Sequence, residues 1–197
     1  TPSISSAASD VYKRQYNNIA NNNTGGILVF NMPSIPQRGY ATRVFDNEIH
    51  SNNTENFAIP GTAVSGVPAG SGVVINSNDQ VEVFNNRFSN NNTANIVISS
   101  YFSANFAGQR ELAAEFDPYP EEILIYDNTF EGGGTQPGLN YLTELKNALY
   151  GEQGAFPDII WDGIVNPENK DQRAIICVDN GEAQLLLSLI HISEPTR

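Results

Sequence analysis

The sequence is poor in several residue types that build common functional sites. Its 197 residues include one cysteine, one methionine, one tryptophan and two histidines. A single cysteine, Cys177, excludes an internal disulfide bond and a cluster of thiolate metal ligands. Ten lysines and arginines stand against 22 aspartates and glutamates, for a net charge of -12. This balance offers no basic patch for a phosphate backbone, so we expect no nucleic acid as a partner.

Long hydrophobic runs are also missing. No segment approaches the ~20 apolar residues that a membrane-spanning helix requires, so no membrane span is predicted. Hydrophobic residues still make up 40% of the chain and charged residues only 16%. These proportions predict one domain with a core rather than a disordered acidic chain.

Both ends of the chain resemble translated sequencing adapters. Residues 5–15 read SSAASDVYKRQ and residues 187–197 read LSLIHISEPTR, which are in-frame translations of the two adapters of transposase-based sequencing. Foreign segments have to be set aside before a fold is predicted. We therefore expect 1–15 and 187–197 to be adapter-derived, and 16–186 to be one domain truncated at both ends.

The remaining sequence contains a short internal repeat. Four segments align without gaps, namely YNNIANNNT (16–24), DNEIHSNNT (46–54), NNRFSNNNT (85–93) and DNTFEGGGT (127–135). Successive copies lie 30, 39 and 42 residues apart. Each copy has an asparagine and, two residues later, an apolar residue. Runs of β-branched and aromatic residues with period-two alternation flank the copies and predict short strands.

This pattern predicts an all-β fold, a right-handed parallel β-helix in which each repeat is one coil of a solenoid stacked on its neighbours. The repeated asparagines tolerate a left-handed bend, and their amides can bond from coil to coil. The predicted ladder is Asn17, Asn47, Asn86 and Asn128. Three N-x-T triplets end at Thr24, Thr54 and Thr93. They match glycosylation acceptors, but their place in the repeat favours a structural role.

One segment near the C-terminus has helical rather than strand periodicity. Leucines recur at helical spacing from Leu139 to Leu149, with Asn140 as a predicted N-cap and Gly151 as the C-cap. We expect a helical insertion over 136–156 whose leucines pack against the strands. It would lie on the groove side described next or form a flap over the stack.

Insertions in a solenoid tend to collect on one side and build a binding surface. The extra length falls in three loops, 31–42, 60–70 and 101–122, which we expect to stack as the wall of a groove. Aromatic rings with fixed polar groups suit a sugar ligand. The candidate substrate-binding residues are Arg38, Tyr40, Tyr101, Tyr119 and Trp161. A packing role is equally open for the tyrosines and for Trp161, which would then lie under the helix, and it is favoured for Phe102, Phe106 and Phe116.

The longest loop also contains candidate catalytic groups, which are Arg110, Glu115 and Asp117. A polysaccharide lyase or epimerase uses a base with a cation such as Ca²⁺, whereas a glycoside hydrolase uses two carboxylates ~5–9.5 Å apart. Glu121 and Glu122 could supply further acids, but they precede a strand, where charges are usually a solvated edge, and this second role is favoured. The net negative charge would repel polyuronates unless a cation intervened, so Ca²⁺ is a possible cofactor, although the sequence identifies no metal site.

Two further residues carry little functional signal. His50 follows an apolar strand residue, so alternation predicts that it points to solvent. Cys177 lies in the apolar run AIICVD and is predicted to be buried filler. Without a second thiol or a nearby histidine, the sequence has no ligand set for copper or heme.

The repeat frame, together with DPYP (117–120) and PDIIWDG (157–163), resembles the bacterial parallel β-helix repeat proteins of the pectate-lyase-like superfamily. Within these it is similar to a secreted family with no established activity, and the resemblance covers nearly all of 16–186. It implies a periplasmic or extracellular location and a genetic partnership with a secreted cytochrome-like protein. Two functions are therefore expected, which are carbohydrate binding or processing in the groove, or a non-catalytic scaffold that docks the cytochrome-like partner.

Overall fold

The computed structural model describes residues 13–16, 18–33, 39–103, 112, 115–169, 176–181 and 185–186. Its strands are β1 (Lys13–Gln15), β2 (Ile19–Asn21), β3 (Gly25–Phe30), β4 (Tyr40–Phe45), β5 (Glu48–His50), β6 (Ser71–Asn76), β7 (Asp79–Phe84), β8 (Arg87–Asn91), β9 (Ala94–Ser99), β10 (Ile123–Tyr126), β11 (Thr129–Gly133), β12 (Ile159–Trp161), β13 (Ile176–Asp179) and β14 (Leu185–Leu186). One α-helix, α1 (Asn140–Tyr150), and two short 3-10 helices (Ala63–Gly66 and Pro167–Asn169) complete the described part.

The strands form three parallel sheets, and the chain passes through the sheets in turn, with no described second-sheet strand between β13 and β14. The first sheet has the order β1-β4-β7-β10-β13, the second β2-β5-β8-β11 and the third β3-β6-β9-β12-β14. The prediction of an all-β fold with parallel strands and one short helix is confirmed. Among the described residues, no helix is long and apolar enough to cross a membrane.

The central core lies between the three sheets. Inward residues of neighbouring strands stack in register, as in the row Val44, Val83 and Ile125 of the first sheet. Strand β6 is buried along its whole length. Its Val73 and Ile75 face this core, whereas Val74 faces a second cluster that includes Leu142 of α1. A strand covered on both faces reads as a continuous apolar run, which explains the sequence SGVVIN.

The helix begins at Asn140 and has Leu139, not Asn140, at its N-cap position, with no side-chain capping bond. Gly151 ends it with φ 78°, as predicted. Leu142 is buried, and Leu139 and Leu145 pack against the same cluster. The leucine stripe therefore packs onto the outside of the third sheet.

The structure brings together three of the asparagines nominated for the ladder. Asn47 Nδ2 donates to Asn86 Oδ1 at 2.9 Å, and Asn86 Nδ2 donates to Asn128 Oδ1 at 2.9 Å. Asn180, which the repeat alignment missed, accepts from Asn128 Nδ2 at 3.1 Å. Each of these amides thus links the backbone and side chain of one circuit to those of the next.

The first rung differs from the prediction. Asn17 lies outside the described residues, and Asn18 donates to Asn47 Oδ1 at 3.1 Å. Strand register pairs Ala20 with Ile49, so the first two copies are offset by 29 residues rather than 30. The alignment was wrong because it matched Ile19, which is 68% exposed, to a core position.

The left-handed bend was also assigned to the wrong residue. Positive φ occurs one position earlier, at Asp46 (54°), Asn85 (53°) and Asp127 (52°). The ladder asparagines instead donate back across that bend, as Asn47 Nδ2 does to the Phe45 carbonyl at 2.9 Å. The first residue of each repeat therefore makes the turn, and the second holds it closed.

A second ladder occupies the N-x-T triplets. Asn23 Nδ2 donates to Asn52 Oδ1 at 3.2 Å, and Asn52 Nδ2 donates to Asn91 Oδ1 at 3.1 Å. Asn52 and Asn91 are both fully buried. Their burial leaves no room for a glycan, in agreement with the structural role predicted for the second and third triplets, whereas Asn22 of the first triplet is exposed.

Aromatic rings stack on the outer face of the first sheet. Tyr16, Phe45, Phe84 and Tyr126 form a column with centroid spacings of 5.3, 5.0 and 4.9 Å and nearly parallel planes. The spacing follows from the separation of hydrogen-bonded strands, which is ~4.8 Å.

Cys177 is exposed on a strand of the same sheet, so its assignment as buried filler was wrong. His50 is half-buried, near Asn21 Nδ2 at 3.3 Å, rather than fully turned to solvent.

Candidate functional site

The long loops do not all lie on one flank. Loops 31–39 and 100–122 both connect the third sheet to the first, and we call this side the third-to-first corner. Loop 51–70 connects the second sheet to the third, as does the segment that contains α1, and this side is the second-to-third corner. The prediction that loop 60–70 stacks with the other two was wrong. The sequence shows which connections are long. The corner at which each long loop lies depends on which sheets its two flanking strands join.

At the third-to-first corner a very short connection lies between the two long loops. Only Ser77 and Asn78 join β6 to β7, and both are buried. The longer loop folds back over them, because the Pro118 carbonyl accepts bonds from Ser77 Oγ at 3.0 Å and from Tyr101 N at 2.9 Å. Asn31 Nδ2 donates to the Asp117 carbonyl at 3.5 Å. The DPYP segment is therefore held against the two preceding circuits.

This folding brings three carboxylates together. The carboxylate oxygens of Asp79, Asp117 and Glu121 lie within 4.8 Å of one another. Asp79 begins β7 and Glu121 forms a bridge with it just before β10, so the first sheet places both. Asp117 comes from the folded-back loop. Asp79 is 8% exposed, and the other two are half-buried.

Local hydrogen bonds orient two of these groups. Asp117 Oδ1 accepts from Tyr119 N at 3.1 Å in a turn closed by its own side chain. Glu121 Oε1 accepts from Asn169 Nδ2 at 2.9 Å. Three oxygen ligands at such mutual distances suit a hard divalent cation such as Ca²⁺, which takes six to eight oxygens at ~2.3–2.6 Å.

An aromatic cluster adjoins the carboxylates through the same loop. Tyr101 makes edge contacts with Phe102 and Phe116, with centroids 6.4 and 5.3 Å apart. Phe102 also contacts the ring of Tyr119 at 5.6 Å. Phe102 is 54% exposed, so it offers a ring to a ligand while Tyr101 and Phe116 anchor the loop. The favoured packing role therefore fits Phe116 better than Phe102.

The other nominated residues are dispersed. Tyr40 begins β4 and lies in register opposite Asp79, which places it at this corner. Glu115 is exposed. Arg38, Phe106 and Arg110 lie outside the described residues, so the convergence of Arg110 with Asp117 stays a prediction.

Trp161 occupies a different setting from either of its two predicted roles. Its ring packs against the central core between the sheets rather than beneath α1. Its neighbours Asp158 and Asp162 form hydrogen bonds within the protein. Asp162 accepts bonds from Ser100 N at 2.6 Å and Ile164 N at 3.0 Å. Burial raises the pKa of the Asp158 carboxyl, opposed by the bond that Asn95 Nδ2 donates to it at 2.9 Å.

Sequence reasoning missed Asp79 as a site residue and gave Glu121 a solvated edge role. The available signal was positional, since Asp79 begins one strand of the first sheet (DQVEVF) and Glu121 comes just before the next (EEILIY). Aligning those two strands would have placed the two carboxylates side by side. The contribution of Asp117 depends on how its loop folds, which no strand pattern encodes.

Comparison with known proteins gives no match to a family model, to a curated protein or to a solved structure. The residues at the third-to-first corner are therefore the evidence for a function.

Proposed function

We propose that the chain is part of a right-handed parallel β-helix, from an exported bacterial protein, that binds a carbohydrate at the third-to-first corner. The observation that supports this most directly is the exposed ring of Phe102 beside Tyr119, adjoining the carboxylates of Asp79, Asp117 and Glu121. Flat rings cover the apolar face of a sugar, and oxygen groups nearby fix its orientation.

In this proposal a divalent cation bound by the three carboxylates completes the site. A cation would offset part of their mutual repulsion and supply a positive centre for an acidic sugar, which a chain of net charge -12 would otherwise repel. This arrangement fits cation-assisted binding better than glycoside hydrolysis. The carboxylate oxygens of the three residues lie within 4.8 Å of one another, closer than the ~5–9.5 Å that separates the two acids of a glycoside hydrolase.

The test is titration calorimetry with neutral and acidic oligosaccharides, in the presence of Ca²⁺ or of a chelator. We expect Phe102→Ala to weaken binding by about ten-fold, since the loss of an aromatic contact costs on the order of 1 kcal/mol or more. Phe57→Ala is the matched control, because Phe57 is 81% exposed at the other corner. If both variants bind as the wild type does, or if no oligosaccharide binds, the proposal fails.

A second function, a scaffold that docks a secreted cytochrome-like protein, is favoured by a different observation. Phe57 and Ile59 are 81% and 75% exposed on the loop of the second-to-third corner. Apolar side chains exposed together on an ordered loop are typical of protein contacts. A pull-down with a periplasmic c-type cytochrome would test this proposal. The proposal is supported if the wild type and Phe102→Ala form a complex with the cytochrome and the double variant Phe57→Ser and Ile59→Ser does not.

A further inference from the structure

A cavity of about 520 Å³ lies at the second-to-third corner, away from the proposed carbohydrate site. Helix α1 contributes Thr143, Lys146 and Asn147 to its lining, and the segments on either side contribute Gln136, Glu152 and Gln153. The volume is in the range of small-molecule sites, ~300–1,000 Å³. Its lining combines apolar surface with amides, hydroxyls, one cation and one carboxylate.

Lys146 is the unusual member of this lining. It is only 2% exposed, although lysine is almost never fully buried unless it is paired. Its Nζ donates to the Glu152 carbonyl at 2.7 Å and to the Gly154 carbonyl at 3.1 Å. No carboxylate in the described part of the chain forms an ion pair with it. An ammonium has three donors, so one N–H has no protein acceptor among the described residues.

The two carbonyl bonds close the turn after α1, but they do not neutralise the charge. A buried cation is costly unless an anion is paired with it, and no carboxylate among the described residues lies within ion-pair distance of Lys146. Amides and a hydroxyl beside the cation suit a ligand with hydroxyl groups. The carboxylate of Glu152 disfavours a ligand with more than one negative charge.

We propose that this cavity binds a small organic monocarboxylate that carries hydroxyl groups, with its carboxylate at Lys146. The site is separate from the proposed carbohydrate site and does not depend on it. Glu152 limits the affinity through charge repulsion, while its main-chain carbonyl holds the lysine in place. The remaining polar side chains of the lining, such as Asn147 and Gln153, are then available to the hydroxyl groups.

The experiment is calorimetric titration of the full chain with sodium D-gluconate, D-glucose and inorganic phosphate. Gluconate is expected to bind, and glucose and phosphate to bind at least ten-fold more weakly. Lys146→Met should weaken gluconate binding ten-fold or more, because a hydrogen bond to a charged group contributes about 1.5–3 kcal/mol.

Since Lys146→Met also removes two bonds to the turn, a second variant keeps the test decisive. Glu152→Gln retains the main-chain carbonyl that binds Lys146 and should tighten gluconate binding about two- to five-fold. Glu144→Gln, exposed on the same helix, is the matched control and should leave binding unchanged. Absence of gluconate binding at about 10 mM, equal binding of phosphate, or unchanged affinity in Glu152→Gln would overturn the proposal.

Discussion

Replacing Asn86 with alanine tests whether the amide ladder stabilises the stack of circuits. Asn86 is 2% exposed. Its Oδ1 accepts from Asn47 N and Nδ2 at 3.1 and 2.9 Å, and its Nδ2 donates to Asn128 Oδ1 at 2.9 Å. It also donates to the carbonyls of Val44 and Phe84 at 2.9 and 3.0 Å. Alanine removes all five bonds at a position that water cannot reach.

The expected cost follows from the groups that lose a partner. A buried polar group left without its hydrogen bond costs about 1–3 kcal/mol, and Asn47 N, which donates to Asn86 Oδ1, becomes such a group. The carbonyls of Val44 and Phe84 also lose a donor, whereas Asn128 Oδ1 keeps the bond from the main-chain N of residue 86 at 3.0 Å. We expect Asn86→Ala to lower the free energy of unfolding by about 3 kcal/mol. In a chain of this size each kcal/mol shifts Tm by about 2–4 °C, so Tm should fall by about 6–12 °C.

Urea denaturation followed by circular dichroism measures the effect, with the slope against urea as a check that the same surface unfolds. Asn53→Ala is the control. Asn53 also bonds between circuits, to the Asn90 carbonyl at 2.9 Å, but it is exposed and water can replace it. We expect less than about 1 kcal/mol for this variant. Equal losses in the two variants, or a loss below about 1 kcal/mol for Asn86→Ala, would refute the reasoning.

Three further perturbations address the site and the packing. Ca²⁺ at about ten times its Kd should stabilise the wild type by about 1.4 kcal/mol and raise Tm by a few degrees. Glu121→Gln should abolish this rise in a thermal melt, whereas Glu122→Gln, outside the carboxylate cluster, should keep it. Because burial raises the folded-state pKa of Asp158, its ionisation opposes folding, and wild-type stability relative to Asp158→Asn should fall as pH rises from about 4 towards neutrality. A pH-independent difference in unfolding free energy would contradict this. Gly72→Ala should cost about 1–3 kcal/mol, since its Cβ would clash with the Asn95 carbonyl oxygen. An unchanged urea midpoint would contradict this and show that the strands can shift apart.

The predictable part of the fold was the part that repeats. Asn47, Asn86 and Asn128 share a local sequence because they fill the same place on successive circuits, and a repeated environment leaves a repeated pattern. The first copy was misaligned by one residue because it contains several consecutive asparagines. Its register is fixed by Ala20, which packs against the core while Ile19 is exposed.

The site was less predictable because it does not repeat. Asp117 and Tyr119 were nominated from the composition of their loop, but the partners of Asp117 depend on which corner the loop occupies. Asp79 and Glu121 reach it through strand pairing between circuits 42 residues apart. Such contacts between residues far apart in the sequence depend on how the strands of different circuits pair, so a short window of sequence does not reveal them.

The equivalence of the rungs makes the chain divisible into interchangeable lengths. Since Asn47 and Asn86 occupy the same place, excising residues 47–85 would join Asp46 to Asn86 and bring Asn18 against Asn86, with each sheet shortened by one strand. The shortened chain would keep a continuous ladder and core but lose Asp79 from the carboxylate cluster. A chain built in this way can lose a whole circuit and keep its fold, while the same deletion removes a residue from its candidate site.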